Sequence, residues 1–162
     1  MKITIDPFDK ESITKALQQL EQYKKDFLAK EELFVKRLAE IGVSVASTGF
    51  ATADYDGIND VVVTIEHSGN RAAVVASGET VGFIEFGTGV KFPEWNANGT
   101  EYTPPKHGTY GKGFGARPHG WYFKQGEGAA QHTYGNQPAE AMRTARDVMI
   151  EKVVQIAREV WK

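Results

Sequence analysis

Apolar residues between positions 13 and 41 recur at steps of three and four: Ile13, Leu17, Leu20, Tyr23, Phe27, Leu33, Phe34, Leu38 and Ile41. That spacing collects them on one stripe of an α-helix. Asp6 suits the cap, Pro7 the first helical position, and Asp9 the first turn, where a carboxylate meets unpaired amides; Ser12 is a rival cap. We expect a helix over 8–41, about 50 Å long at 1.5 Å per residue. Seven acidic and seven basic residues occupy its other faces.

The period then changes. Val43, Val45 and Ser47 alternate loosely, residues 61–65 are rich in β-branched side chains, and residues 72–76 read as a return strand stopped by Gly78. Tyr55-Asp56-Gly57 and Ser68-Gly69-Asn70 are turn signals, the second a hairpin connection. Helical spacing resumes at the end, with Ala141, Met142, Ala145, Val148, Met149, Val153, Ile156 and Val160 on one stripe, Asn136 as cap and Pro138 near the start.

Glycine placement follows the same division. Residues 1–41 hold none, 42–82 hold six, 87–135 hold eleven, and 136–162 hold none. Glycine is costly inside a helix and useful in turns. The expected fold is therefore α+β in a single domain over 1–162. An antiparallel sheet of three to four strands is covered on one face by both helices, and a long loop, 89–135, is inserted before the C-terminal helix.

Composition narrows the function classes. The chain has 162 residues, 25% charged and 41% hydrophobic, with a formal charge of −2. Proteins that wrap nucleic acid usually show a basic excess. No cysteine is present, which excludes disulfides, thiolate metal sites and a thiol nucleophile. The N-terminus carries no apolar h-region and no run approaches a membrane span, so we expect neither a secretory signal nor a membrane role.

The loop concentrates candidate chemistry. Ten of the eighteen aromatics lie between Phe86 and Tyr134, as do His107, His119 and His132. Disordered segments are poor in aromatics, so we expect a loop ordered either by a neighbouring subunit or by its own domain. The histidines have no HxH, HxxxH or HExxH spacing, which favours surface roles over a metal site. Residues 110–115 contain GxGxG, but no strand leads in and GxxxxGK[ST] is absent, so turns are the plainer reading. Glu85 with Glu79 or Asp60 is a conceivable acid–base pair, and Ser68 and Ser77 lack a GxSxG setting. Five Lys/Arg against three acidic residues in the loop is a small excess for single-strand binding.

Two segments are more telling. Val81-Gly82-Phe83-Ile84-Glu85-Phe86-Gly87-Thr88-Gly89, followed after the loop by Gly135-Asn136-Gln137-Pro138-Ala139-Glu140-Ala141-Met142-Arg143-Thr144-Ala145, resembles the tail-completion, head–tail joining or neck proteins of tailed phages and prophages. Gly108-Thr109-Tyr110-Gly111-Lys112-Gly113 and Trp121 look like the longer-loop branch of that family. The resemblance implies a non-enzymatic structural protein without cofactors at the capsid–tail junction of the virion, assembled in the host cytoplasm. Its implied partners are copies of itself in a ring, neighbouring head-completion or connector proteins and tail-tube proteins, with DNA only as passing cargo. A minor capsid or tail-tube-associated protein, or a small enzyme with its site in the loop, remain the alternatives.

On this reading Phe83 and Phe86 pack inward, while Glu85 faces outward or meets a partner's cation. The assembly interface is expected at Glu85, Phe92, Trp95, Tyr110, Phe114 and Trp121. Residues 42–88 carry six acidic side chains against one basic, a local balance of −5. Asp54, Asp56 and Asp60 are expected to line a channel whose negative potential repels DNA phosphates, with plain solubility as the other use of such charge.

Overall fold

A computed structural model describes residues 3–88, 120–124, 126–133 and 135–162. The fold is α+β. α1 spans Lys10–Ala51, and the hairpin β1 (Val62–Ser68) and β2 (Arg71–Ser77) follows it. Next come a one-and-a-half-turn helix α2 (Val81–Phe86), a second small hairpin β3 (Trp121–Phe123) and β4 (Gln131–Thr133), and α3 (Ala141–Val160).

α1 starts three residues later than Asp6 suggests and ends ten residues beyond Ile41. Asp9 is the cap and its carboxylate accepts from the Glu11 amide at 3.0 Å; Asp6 instead accepts from Phe8, in the turn before the helix. The strand expected around Val43, Val45 and Ser47 is helix. β-Branched residues disfavour helix only slightly, and tertiary contact overrides them. Here Ala39, Gly42, Ala46 and Phe50 are buried at helical spacing. The small members let neighbours come close: a Cβ built on Gly49 would stand 2.7 Å from Ala141 Cβ, and one on Gly42 would stand 2.6 Å from Met149 Sδ and 2.8 Å from Val74 Cγ2. At 42 residues, α1 is about 63 Å long.

α3 runs antiparallel to α1. Ala141 lies at Gly49, Met149 at Gly42, Glu159 pairs with Arg37 at 3.5 Å, and the Trp161 ring meets Phe34 and Phe27. The β1–β2 hairpin closes as its turn chemistry implies, with Ser68 opposite Arg71 and Gly69 at φ 57°. Its half-buried residues Val63 and Ile65 lie opposite Ala76 and Val74, so one face meets helix and the other solvent; the covering helix is mainly α1, not both long helices as expected, because α3 packs along α1. Phe50, Ile84 and Ala141 form the centre of the core, ringed by Tyr55, Val61, Val63, Ala76, Val81 and Met142.

The sheet differs from expectation. In place of one sheet of three to four strands, the described residues hold two separate two-stranded ladders, and the second lies within the segment read as loop. Trp121 opposes Thr133 there, and Tyr122 opposes His132.

Candidate functional site

The segments on either side of the long excursion meet. Thr88 and Asn136 exchange backbone hydrogen bonds, 2.9 Å from the Thr88 amide to the Asn136 carbonyl and 3.0 Å in return. The Thr88 hydroxyl donates to the Asn136 side-chain carbonyl at 3.3 Å, and the Asn136 side-chain amide donates to the Asp54 carbonyl at 3.3 Å. Both residues are buried. Further along, the Ala139 amide donates to the Ile84 carbonyl at 2.8 Å and the Glu140 amide to the Glu85 carbonyl at 3.2 Å. Gly87 makes this closeness feasible. At φ 70° and ψ 171° it holds a conformation reserved for glycine, and a Cβ would stand 2.8 Å from Asn136 O and from Pro138.

Asn136 is therefore not the helix cap that its position suggests. α3 begins at Ala141, and the residue before it, Glu140, lies in the left-handed region at φ 48° and supplies no side-chain cap. A helix start leaves amides without intrahelical partners. Glu85 supplies them: its carboxylate accepts from Met142 at 3.0 Å and from Arg143 at 3.2 Å. Glu85 is 5% exposed, so it neither faces outward nor stands ready for a partner's cation. A side chain fixed by α3's unpaired amides turns inward whatever its charge. Burial pushes its carboxyl above the ordinary value, and Glu140 adds to this; the amides of Met142, Arg143 and Ala141 pull the other way. Glu140 is held in its unusual backbone state by that Glu85 carbonyl bond and by an ion pair with Arg143 at 3.1 Å.

The same device recurs at α2. Asp60 accepts from the amides of Glu79 at 2.7 Å and Thr80 at 3.0 Å, and from the Thr80 hydroxyl. These bonds, the Thr80 hydroxyl foremost, lower its carboxyl below the ordinary range. Asp60 is occupied by the two residues just before α2, and Glu85, near the end of α2, by the first amides of α3, which argues against their use as one acid–base pair.

The three aspartates expected to line a channel have exposed side chains and internal partners. Asp56 accepts from the Thr133 hydroxyl at 2.5 Å and so ties β4 to the end of α1. Asp54 contributes its carbonyl to Asn136. Tyr55, half-buried between them, has its phenol pushed up by burial first and then by the charges of Asp60 and Asp56. Exchanging all three for lysine would therefore disturb this junction and not only its potential.

Of the interface candidates, Trp121 is half-buried in β3, while Phe92, Trp95, Tyr110 and Phe114 lie outside the described residues. So do His107, His119 and the glycine run at 110–115. His132 packs edge-on against Tyr122 with ring centres 4.9 Å apart. Among the described residues, no group of three His, Cys, Asp or Glu stands together as a metal site. Ser77 donates to the Val62 carbonyl and Ser68 flanks the hairpin turn.

Sequence reasoning missed the Glu85 cap of α3, the Asp60 bonds to Glu79 and Thr80, and the Thr88–Asn136 clasp. One signal was present: no Ser, Thr, Asp or Asn immediately precedes Ala141, so the cap of α3 had to come from elsewhere in the chain. Compared with protein-family models, curated proteins and solved structures, the chain has no match.

Proposed function

We propose that this protein is a structural virion component of a tailed phage or prophage, acting at the head–tail junction as a ring of identical copies. The reading rests on the two motif segments named above. The observation that supports it is that these segments, 48 residues apart at Thr88 and Asn136, bond to one another. A junction of this kind gives a mechanical result: it anchors both ends of the excursion 89–135 on the body and leaves the excursion to meet a neighbour. Its partners on this reading are further copies of itself and the adjoining head-completion, connector and tail-tube proteins. DNA passes as cargo, and the acidic stretch 54–60 repels its phosphates.

The test is genetic and biochemical. Removing the gene from its phage or prophage should give filled heads and separate tails, and supplying the chain in trans should rejoin them. Joined particles without the chain would overturn the proposal. Because the β3–β4 hairpin is tied to Asp56, the informative deletion removes residues 91–118. The variant should still fold, since closure entropy changes slowly with the length of a connection, and it should abolish joining.

A further inference from the structure

The apolar stripe of α1 changes its surroundings part-way along the helix. Ile13, Leu20, Phe27, Phe34 and Ile41 are spaced by seven, a step that drifts only about 20° around a straight helix, so they form one seam. α3 covers that seam from Gly49 down to Phe27, where Trp161 ends it. Beyond, residues 10–26 continue for about 25 Å with no other helix beside them among the described residues; the small Ala16 is buried there, and the larger side chains of the stripe are not. There Leu17 is 57% exposed, Ile13, Leu20 and Tyr23 are also open to solvent, and Phe8, just before the helix, is 96% exposed.

Large apolar side chains half in solvent present on the order of 100 Å² each. Phe8, Ile13, Leu17, Leu20, Tyr23 and Phe27 together offer roughly 600 Å², against the ~800 Å² that each partner buries in a standard stable interface. A contiguous apolar surface of that size marks an interaction site.

The charge around the stripe selects the occupant. Residues 6–30 carry five acidic and five basic side chains. A helix that lies on an anionic membrane is rich in Lys and Arg on its polar face, and this one is balanced. A basic or acidic partner likewise finds no net field to match. A second copy of the same segment meets no net repulsion and brings an equal apolar area. The seam also already accepts a helix of this chain, α3, over its other half.

We propose that the uncovered half of α1 docks, stripe to stripe, on the same segment of a second copy of this chain. This rests on the reading of the protein as an assembly of its own copies and adds a pairing contact to it: a segment that meets its own copy joins two chains, and the ring closes through other, head-to-tail contacts. Leu17 and Leu20 are the central contacts, and the mixed charges on the far face stay in solvent.

Light scattering on the purified full chain over a wide concentration range tests it. The wild type should exceed monomer mass as concentration rises. The double variant Leu17→Glu/Leu20→Glu should remain monomeric with unchanged helix content and thermal midpoint, because both positions are solvent-facing in the isolated chain. The chain has no cysteine, so Leu17→Cys should form a disulfide-linked dimer on mild oxidation. Gln18→Cys, on the opposite face, should not. A wild type that stays monomeric throughout, a double variant that keeps its mass, or equal cross-linking at 17 and 18 would each overturn the proposal. So would a double variant with a lowered thermal midpoint and no change in mass, which would mean that residues 89–119 of the same chain cover the stripe. Stripe-dependent binding to anionic vesicles by a protein monomeric in solution would also overturn it. Head–tail joining in the gene-deletion assay is a separate readout: if joining proceeds without the chain while the arms still pair, the virion reading falls and the docking stands.

Discussion

The two halves of α1 obey one amphipathic pattern and meet different surroundings. From Phe27 to Ala51 the stripe uses small residues at the closest approaches, Gly42, Ala46 and Gly49, and neighbouring elements press against them. From Lys10 to Asp26 it uses mostly large ones, Ile13, Leu17, Leu20 and Tyr23, which stand open around a buried Ala16. Helical periodicity therefore reports that a face is apolar, while residue size along it reports how closely another element of the same chain approaches.

Substitutions can break that contrast. The largest effect is expected at Phe50, which is 2% exposed at the centre of the core. Phe50→Ala should lower unfolding stability by about 3–5 kcal/mol, measured by urea denaturation. Next comes crowding at the α1–α3 contact. Gly49→Val pushes new carbons onto Ala141 and should cost about 1–3 kcal/mol, whereas Ala29→Leu, at an exposed position of the same half, should change little.

The body half also depends on α3 staying seated, and Glu85 fixes its start. Glu85→Ala should cost about 1–3 kcal/mol by leaving buried amides unpaired. The pH dependence sharpens the point. The Glu85 carboxyl is raised, so its contribution is fully present below the ordinary value of 4.5 and is lost as pH climbs through the raised value. The Asp60 carboxyl is lowered, so its contribution is present above 3.8 and is lost as pH falls through the lower folded value. Urea midpoints from acid to neutral pH should show Glu85→Gln flattening the upper limb and Asp60→Asn the lower one. The smallest effect belongs to the open half: Leu17→Ser should shift the stability of the isolated monomer by no more than about 0.5 kcal/mol. A larger loss would mean that the stripe is covered within its own chain.

Much of the fold was legible in the residues. The 3–4 spacing locates both long helices, and Ser68-Gly69-Asn70 locates the hairpin because two residues must turn the chain between Ser68 and Arg71. The extension of α1 through 42–51 was not legible, since Gly42, Val43, Val45 and Gly49 all read locally against helix and only contact with Met149, Val74 and Ala141 favours it. The segments 81–89 and 135–145 stood out, but the direction of Glu85 did not. It depends on a helix 57 residues further on that lacks a cap of its own.

The reciprocal bonds between Thr88 and Asn136 separate the length of the intervening chain from the geometry of the body. Whatever leaves at Thr88 returns at Asn136, and among the described residues between them the Thr133–Asp56 bond is a further tie to the body. Each doubling of a flexible excursion adds only about 0.6 kcal/mol of closure cost. The clasp is in this sense a socket. A segment of any length or sequence between residues 89 and 119 would start and end at the same two points, so the clasp fixes where an inserted peptide would join the body.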